Sequence, residues 1–195
     1  MLDLLRDYLR ERITITDEQF DLISKEIKIK TFEKNKVILS PGETSTKTYF
    51  VTEGLLRFYS IDSKAKTNVI QFAPERWWLS ERNSFFNEPS DFYIDAIETT
   101  TALLLPYNYF NDASKHVPCL HDLNNTMLNN SIRFMQKRIN MLLSATAEER
   151  YLDFIKLYPN LTLRVPQWMI ASYLGITPES LSRVRKDLAH KHFKA

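Results

Sequence analysis

The chain of 195 residues is poor in two residue types on which many functional sites depend. Its three glycines cannot form a glycine-rich phosphate loop. Its one cysteine, Cys119, excludes an intramolecular disulfide framework and a four-cysteine iron–sulfur or zinc site. The sequence also lacks paired histidines with a carboxylate at metal-ligand spacing and lacks a nucleophile elbow. We therefore expect no enzyme, no resident cofactor and no metal site.

Long apolar stretches are absent as well. No run reaches the roughly 18 apolar residues that a membrane-spanning helix needs. The opening stretch MLDLLRDYLRERITI carries charges throughout and does not resemble a secretory signal. With 44% hydrophobic and 12% aromatic residues, the chain has enough apolar surface for buried cores. We expect a folded cytoplasmic protein with no membrane partner.

Positive charge is concentrated near the C-terminal end. From Arg164 onward, six Lys or Arg residues stand against Glu179 and Asp187, a net charge of +4 that leaves −2 for residues 1–163. This asymmetry indicates a polyanionic partner. A solvated basic terminus without a function is the alternative.

Short β-type runs fill the first half of the chain. Two short amphipathic helices come first, one over residues 3–12 and one capped by Thr16. Between Lys30 and Pro106 six runs of β-branched and aromatic residues follow without a helix between them: KVIL, TYFVT, LLRFYSI, TNVIQF, FYIDAIE and TTALLLP. Glycines in SPGET and TEGLL mark tight turns. The pattern predicts an antiparallel sandwich or barrel.

A long helix with two apolar stripes is predicted after Phe110. One stripe comprises Leu120, Leu123, Met127, Phe134 and Met141, and the other comprises Leu128, Ile132, Met135, Ile139 and Leu142. Two stripes suggest that one face packs on the helix's own domain and the other on a second copy. Asn130 falls on the first stripe, where it would fix register or simply face solvent.

Capping signals divide the rest of the chain. The Thr-x-x-Glu pattern at Thr146 starts a new helix, with residues 143–146 as the hinge before it. The segment LTLRV then predicts a short extended piece. In IASYLGITPESLSRVRK a helix ends at Gly175, Thr177 caps the next helix and Pro178 occupies its first position. A glycine turn between two helices, followed by a basic outer face, predicts a helix-turn-helix, although ordinary helical bundles also turn at glycine.

The second helix of this motif carries the candidate DNA-binding residues. Leu181, Val184 and Leu188 share one face and must point inward. Arg183 on the outer face is placed to fork onto guanine, while Glu179 accepts from a cytosine amino group or holds Arg183 in place. Helix-start hydroxyls and the remaining outward side chains complete the predicted set: Thr177, Ser180, Ser182 and Lys186.

The residues quoted above carry a family resemblance. IASYLGITPESLSRVRKDL, preceded by a β-rich domain and a long helix, resembles the Crp/Fnr superfamily of bacterial transcription regulators over nearly the whole chain. ILSPGET, TYFVTEGLLRFYSID and PYNYF match the landmarks of its sensor domain in order and spacing. The resemblance implies a cyclic-nucleotide-binding-type jelly roll, a dimerisation helix and a C-terminal winged helix-turn-helix. It also implies that Glu179 and Arg183 contact bases, although Pro178 stands where many members carry arginine.

The sensor region departs from the family's cyclic-nucleotide cassette. In WLSERNSFFNEPSDFYIDA, Ser80 stands where a glycine is expected before Glu81, and Ser90-Asp91 replaces the arginine pair that holds the phosphate. Asp91 would repel a phosphate by several kcal/mol at about 4 Å in an effective dielectric near 20. We expect that cyclic AMP is not the ligand. The alternative is that Arg82 serves as a substitute cation for the phosphate. All four histidines follow the barrel, so neither a haem nor a cupin-type metal site is predicted there.

Aromatic residues in the same region suggest a different effector or a filled core. The candidate ligand pocket comprises Phe72, Trp78, Glu81, Arg82 and Phe92. Because the chain ends shortly after the recognition helix, a wing after it is expected to be short or absent.

These observations predict an α+β protein in three parts: a jelly-roll sensor domain at 1–110, a dimerisation helix at 111–144 and a helix-turn-helix domain at 145–195. We expect a homodimer that binds double-stranded DNA at a pseudo-palindromic operator, with an unknown small-molecule effector and RNA polymerase as further partners. The alternative is a ligand-binding or protein-interaction module that keeps this architecture without reading DNA.

Overall fold

The computed structural model describes residues 1–192, apart from the side chains of Ser84 and His192. The last three residues of the expected helix-turn-helix domain, including Lys194 of the basic tail, lie outside the described residues. The chain divides into two compact units, one made of Met1–Ser60 and Gln71–Asn130 and the other of Ile61–Ile70 and Ser131–Ala195. The three-part division with boundaries after residues 110 and 144 stays a prediction.

Two antiparallel sheets dominate the first unit. The strands are β1 (Lys28–Phe32), β2 (Val37–Leu39), β3 (Lys47–Glu53), β4 (Leu56–Ile61), β5 (Thr67–Ala73), β6 (Trp78–Ser80), β7 (Tyr93–Ala96) and β8 (Thr100–Pro106). They form sheets ordered β1-β8-β3-β6 and β2-β7-β4-β5, which confirms the predicted jelly-roll architecture. Sequence patterns missed β1, whose first four residues are exposed, and β6, which has only three residues.

Eight α-helices and a short 3₁₀ helix at Asn83–Phe86 complete the described chain. They are α1 (Leu2–Arg10), α2 (Asp17–Ser24), α3 (Tyr109–Ala113), α4 (Cys119–Ser144), α5 (Ala147–Leu157), α6 (Leu161–Arg164), α7 (Gln167–Leu174) and α8 (Pro178–His192). Both predicted caps are confirmed. Thr16 Oγ1 accepts from the Gln19 amide at 3.2 Å, and Thr146 Oγ1 accepts from the Glu149 amide at 3.3 Å. In each case the side chain of the third helical residue accepts a hydrogen bond from the capping residue's own amide.

The prediction of an extended LTLRV segment is wrong, because these residues form α6. The Val165 amide donates to the Leu161 carbonyl at 3.0 Å, so one helical turn closes over the segment. Leu161 and Val165 are both buried, whereas Leu163 is 90% exposed. Burial at a spacing of four residues is typical of a helix and outweighs the weak β propensity of the segment. Residues 107–192 contain no strand, so this range holds no wing.

The main core of the first unit lies between the N-terminal helices and one sheet. Leu5 and Leu9 of α1 are packed against Phe50 of β3 and Leu103 of β8. The ring of Trp78 lies 4.8 Å from that of Phe50, with Tyr8 and Phe110 also in ring contact. This burial fixes α1, α3 and the start of α4 against β3 and β8.

Gly54, in the turn between β3 and β4, has no room for a side chain. Its φ is +89°, and a Cβ there would lie 2.5 Å from the Thr99 carbonyl oxygen. Gly42 has a similar φ of +86°, but a Cβ there would meet nothing within 4 Å. A side chain at Gly42 would therefore meet backbone strain alone, whereas a side chain at Gly54 would meet both backbone strain and steric overlap.

We predict that Gly54→Ala destabilises the protein much more than Gly42→Ala. Gly42→Ala should lower the free energy of unfolding by about 1–2 kcal/mol, the strain of a positive φ alone. Gly54→Ala should cost about 2 kcal/mol more, because backbone atoms must move. Urea unfolding of both variants measures the difference, and equal losses would contradict the close approach at Gly54.

Candidate nucleic-acid interface

The turn between α7 and α8 has the predicted geometry. Gly175 ends α7 in the left-handed region at φ 67° and ψ 32°. The Gly175 amide donates to the Ser172 carbonyl at 3.1 Å, and the Ile176 amide donates to the Ala171 carbonyl at 3.0 Å. These bonds satisfy carbonyls that the end of a helix otherwise leaves without partners. The chain therefore reverses sharply and places α8 directly after α7.

The start of α8 is capped as expected. Thr177 Oγ1 accepts a hydrogen bond from the Ser180 amide at 3.2 Å, and Pro178 is the first helical residue. Hydrogen bonds donated by its own backbone amide and, next in size of effect, by the Thr177 hydroxyl hold the pKa of Glu179 below its ordinary value. Glu179 is therefore ionised at neutral pH and can accept from a donor such as a base amino group.

The two faces of α8 are arranged as the sequence predicts. Leu181 is fully buried, and Val184 and Leu188 are half-buried. Five of the six predicted DNA-binding residues are exposed: Thr177, Glu179, Ser182, Arg183 and Lys186. The sixth, Ser180, belongs to the cap and is half-buried.

Arg183 has no ion pair or hydrogen bond within residues 1–192. The predicted alternative role of Glu179, holding Arg183 in place, therefore does not occur in this structure. Lys191, on the same helix, is not available to a ligand in this way, because its ammonium group pairs with the Glu148 carboxylate at 2.7 Å.

Two arginines that sequence patterns missed fix the end of α7. Arg138 of α4 donates to the Tyr173 carbonyl at 2.9 Å and lies over the Tyr173 ring at 3.6 Å. Arg150 of α5 donates to the Leu174 carbonyl at 3.0 Å. Positive charge is stabilising at the C-terminal end of a helix, where carbonyl groups lack partners. The partners are 35 and 24 residues apart in the chain, so no local pattern indicates them.

The tip of the β4–β5 hairpin, which belongs to the second unit, also contacts α7. Ser172 Oγ donates to the Thr67 carbonyl at 2.7 Å and accepts from the Val69 amide at 3.0 Å. Arg138 donates to the Val69 carbonyl at 3.1 Å. Since β5 is an edge strand, these side chains satisfy backbone groups that would otherwise lack a partner. The first helix of the motif is thus held from three directions.

The second apolar stripe of α4 lies open. Ile132, Met135, Ile139 and Leu142 are between 37% and 58% exposed, and Leu128 is half-buried. In the first stripe, Leu120 and Leu123 are buried and the other three residues are half-buried, which confirms that this stripe faces the chain itself. Asn130 is exposed. An exposed apolar row along a regular helix is typical of a helix that packs against a partner helix.

The predicted ligand-pocket residues are distributed over different environments. Trp78 lies in the core beneath α1, Phe72 is fully buried, and Phe92 is in ring contact with Phe58 at 4.8 Å. Glu81 is 1% exposed and accepts from the Asn83 amide at 3.1 Å. The Arg82 guanidinium lies 5.1 Å from the centre of the Phe85 ring, and burial lowers its pKa. A pocket that these five residues share stays a prediction.

The segment at Ser90 and Asp91 is closed by internal hydrogen bonds. Ser90 is buried, its amide donates to the Glu43 carbonyl at 2.9 Å, and its carbonyl accepts from the Gly42 amide at 2.9 Å. Asp91 is exposed, so solvent screening makes its repulsion of a phosphate weaker than the several kcal/mol expected from the sequence. Sequence reasoning also missed a buried cation nearby. Arg57 of β4 makes a bidentate ion pair with Asp95 on β7, at 3.0 Å and 2.5 Å.

Comparisons with known proteins agree with this architecture. Residues 29–116 match the cyclic nucleotide-binding domain family. The anaerobic regulatory protein of Aggregatibacter actinomycetemcomitans is 25% identical over 187 residues, which cover 88% of this chain and 71% of that protein. The structure of FixK2 from Bradyrhizobium japonicum matches with a TM-score of 0.73 and 21% identity over 85% of this chain and 86% of that one. A CRP/FNR-family transcriptional regulator from Thermus thermophilus matches with a TM-score of 0.61 and 17% identity over 84% and 87% of the two chains.

The chain is thus similar to Crp/Fnr-type proteins in sequence and in fold. The chain has one cysteine, and its described residues contain no group of three or more His, Cys, Asp or Glu side chains that could hold a metal ion. No helix within residues 1–192 is both long enough and apolar enough to cross a membrane.

Proposed function

We propose that this protein is a sequence-specific DNA-binding transcription regulator that acts as a homodimer. The observation that carries the proposal is the state of α8, a capped helix whose outer face holds an exposed and unpaired Arg183 one turn from an ionised Glu179. Arg183 is available to a base edge without first breaking a contact within the protein. The Glu179 carboxylate accepts hydrogen bonds from its own amide and from the Thr177 hydroxyl, and its remaining lone pairs can accept from a base amino group.

In this proposal α8 lies in the major groove. The Arg183 guanidinium donates two hydrogen bonds to guanine O6 and N7, and Glu179 accepts from a cytosine amino group. Thr177 and Ser180, with the amides of the first helical turn, face the phosphate backbone, as do Ser182 and Lys186 farther along. The contacts of Arg138, Arg150 and Ser172 with α7 hold the motif rigid, which lowers the entropy lost on binding.

Relatives named as anaerobic regulatory proteins, and structural neighbours that include a CRP/FNR-family transcriptional regulator, support the proposal. Cytoplasmic location, contact with RNA polymerase and a small-molecule effector are parts of the same proposal. The division into sensor, dimerisation helix and helix-turn-helix domain also belongs to it.

The homodimer is supported by the open stripe on α4. Completing the burial of each half-exposed Ile, Leu or Met side chain is worth about 1 kcal/mol. Four such side chains in each of two copies would contribute about 8 kcal/mol, against an association cost of at least about 4 kcal/mol. A dimer would also present two copies of α8, which would read half-sites about 34 Å apart.

Cyclic AMP does not control this protein in our proposal. The segment that would hold a cyclic phosphate contains Ser90 and Asp91, and Ser90 already bonds to the turn at Gly42 and Glu43. Arg57, the buried arginine of this sheet, is neutralised by Asp95. The Ser90–Asp91 segment and the Arg57–Asp95 pair therefore offer no free cation to a cyclic phosphodiester.

Arg183→Ala should weaken binding to the preferred operator by about 1–3 kcal/mol and relax the preference at one base pair. Arg133→Ala removes the same charge from an exposed position on α4 and serves as the control. Fluorescence anisotropy with operators that carry single base changes measures both. Equal weakening on all sequences would show that Arg183 contacts phosphate and not a base.

Ile139→Lys should convert the dimer to a monomer, raising the dimer dissociation constant roughly 100-fold or more because two charges would enter an apolar interface. Asn140→Lys, at the next and exposed position, is the matched control and should leave the dimer intact. Analytical ultracentrifugation distinguishes the two masses. A dimer that persists in Ile139→Lys would place the interface elsewhere.

Isothermal titration with cyclic AMP should show no saturable binding up to about 1 mM, the concentration above which an interaction is weaker than about 4 kcal/mol. If the nucleotide binds at micromolar concentration and changes DNA affinity, this part of the proposal is wrong. Loss of that binding in Arg82→Ala would then identify Arg82 as the substitute cation.

A further inference from the structure

The open stripe of α4 is part of a longer seam with a strict heptad spacing. Seam positions follow one another by alternating steps of four and three residues: His121, Asn125, Leu128, Ile132, Met135, Ile139 and Leu142. In heptad notation, Asn125, Ile132 and Ile139 occupy a positions, and the other four residues occupy d positions. β-Branched residues at a with leucine at d favour two parallel strands.

The residues at the e and g positions beside the seam form no pattern of opposite charges. In a parallel pair, each g residue would face the e residue of the following heptad in the other copy: Asn124 with Asn129, Ser131 with Gln136, and Arg138 with Leu143. None of these pairs joins opposite or like charges. A second copy would meet no repulsion, but ion pairs cannot select the alignment of the two helices either.

One a position of the seam holds a polar amide, Asn125. Asn125 is exposed, and its side-chain nitrogen donates to Nδ1 of His121, the preceding seam residue, at 3.3 Å. His121 Nδ1 also lies 3.5 Å from Asp122 Oδ1. The hydrogen bond to His121 leaves the Asn125 carboxamide oxygen and one N–H available across the seam.

We propose that Asn125 fixes the register of the dimer by pairing with Asn125 of a second copy. In a parallel pair without a shift, the two amides face each other and exchange a hydrogen bond. A shift of one heptad would place the Asn125 amide of one copy against Ile132 of the other and leave the second amide opposite residue 118, before α4 begins. An antiparallel pair would place each amide among the apolar residues of the other end. Both alternatives leave a buried amide without a partner.

Register has a direct consequence for DNA binding. The inference rests on the proposed homodimer, in which each copy contributes one continuous α4, followed along the chain by α5 to α8. A shift of one heptad would move one copy along the seam by about 10 Å. The two recognition helices would then no longer match half-sites one helical turn apart.

The test compares Asn125→Ile with Asn140→Ile, which makes the same chemical change at an exposed position one residue off the seam. Asn125→Ile should tighten the dimer roughly tenfold or more, because a buried amide is replaced by hydrocarbon. At the same time it should populate shifted pairs or higher oligomers. Asn140→Ile should do neither. Analytical ultracentrifugation gives mass and dissociation constant.

Register is measured by a disulfide trap. Met135→Cys in a Cys119→Ser background places one thiol at a d position, where two thiols meet only in a parallel pair without a shift. With Asn125 present, air oxidation should cross-link nearly all dimers. With Asn125→Ile added, the cross-linked fraction should fall. An unchanged fraction and an unchanged dissociation constant would overturn the inference while leaving the dimer in place, whereas a monomeric wild-type protein would overturn the dimer itself.

Discussion

The left-handed turn at Gly175 is the constraint on which the DNA-reading surface depends. It ends α7, directs the chain into the cap at Thr177 and so decides which side of α8 faces inward. A Cβ at this position would lie 3.1 Å from Leu142 and 3.5 Å from the Arg150 guanidinium, so the turn is also packed closely against α4 and α5. Backbone conformation, packing and the arginine bonds to the end of α7 all support the same geometry.

Features with local causes could be predicted from the sequence, and those with distant causes could not. The caps at Thr16, Thr146 and Thr177 and the turn at Gly175 each depend on residues within four positions, and all are as expected. The segment LTLRV was assigned wrongly because burial of Leu161 and Val165, and not local propensity, decides its conformation. Arg138, Arg150 and Arg57 find partners far along the chain, where periodicity carries no information.

The candidate sites differ in how far the sequence could define them. The outer face of α8 follows from helical geometry, so the exposure of Arg183 and the burial of Leu181 could both be derived in advance. The sensor region is different, because aromatic residues serve equally well as core or as pocket lining. Trp78 is part of the core under α1, and Phe72 is fully buried. The two stripes of α4 are intermediate between these cases. Their helical period can be seen in the sequence, but only the folded structure shows which stripe stays exposed.

The central claim is that two copies of α8 read one duplex together. The most direct test selects bound sequences from random DNA with the purified protein. Hydroxyl-radical footprinting is then carried out on the most strongly enriched sequence. We expect an inverted repeat whose half-sites lie about one helical turn apart, both protected on the same face of the duplex. Recovery of no consensus, with only weak binding that disappears as salt is raised, would contradict it and favour a module that does not read DNA.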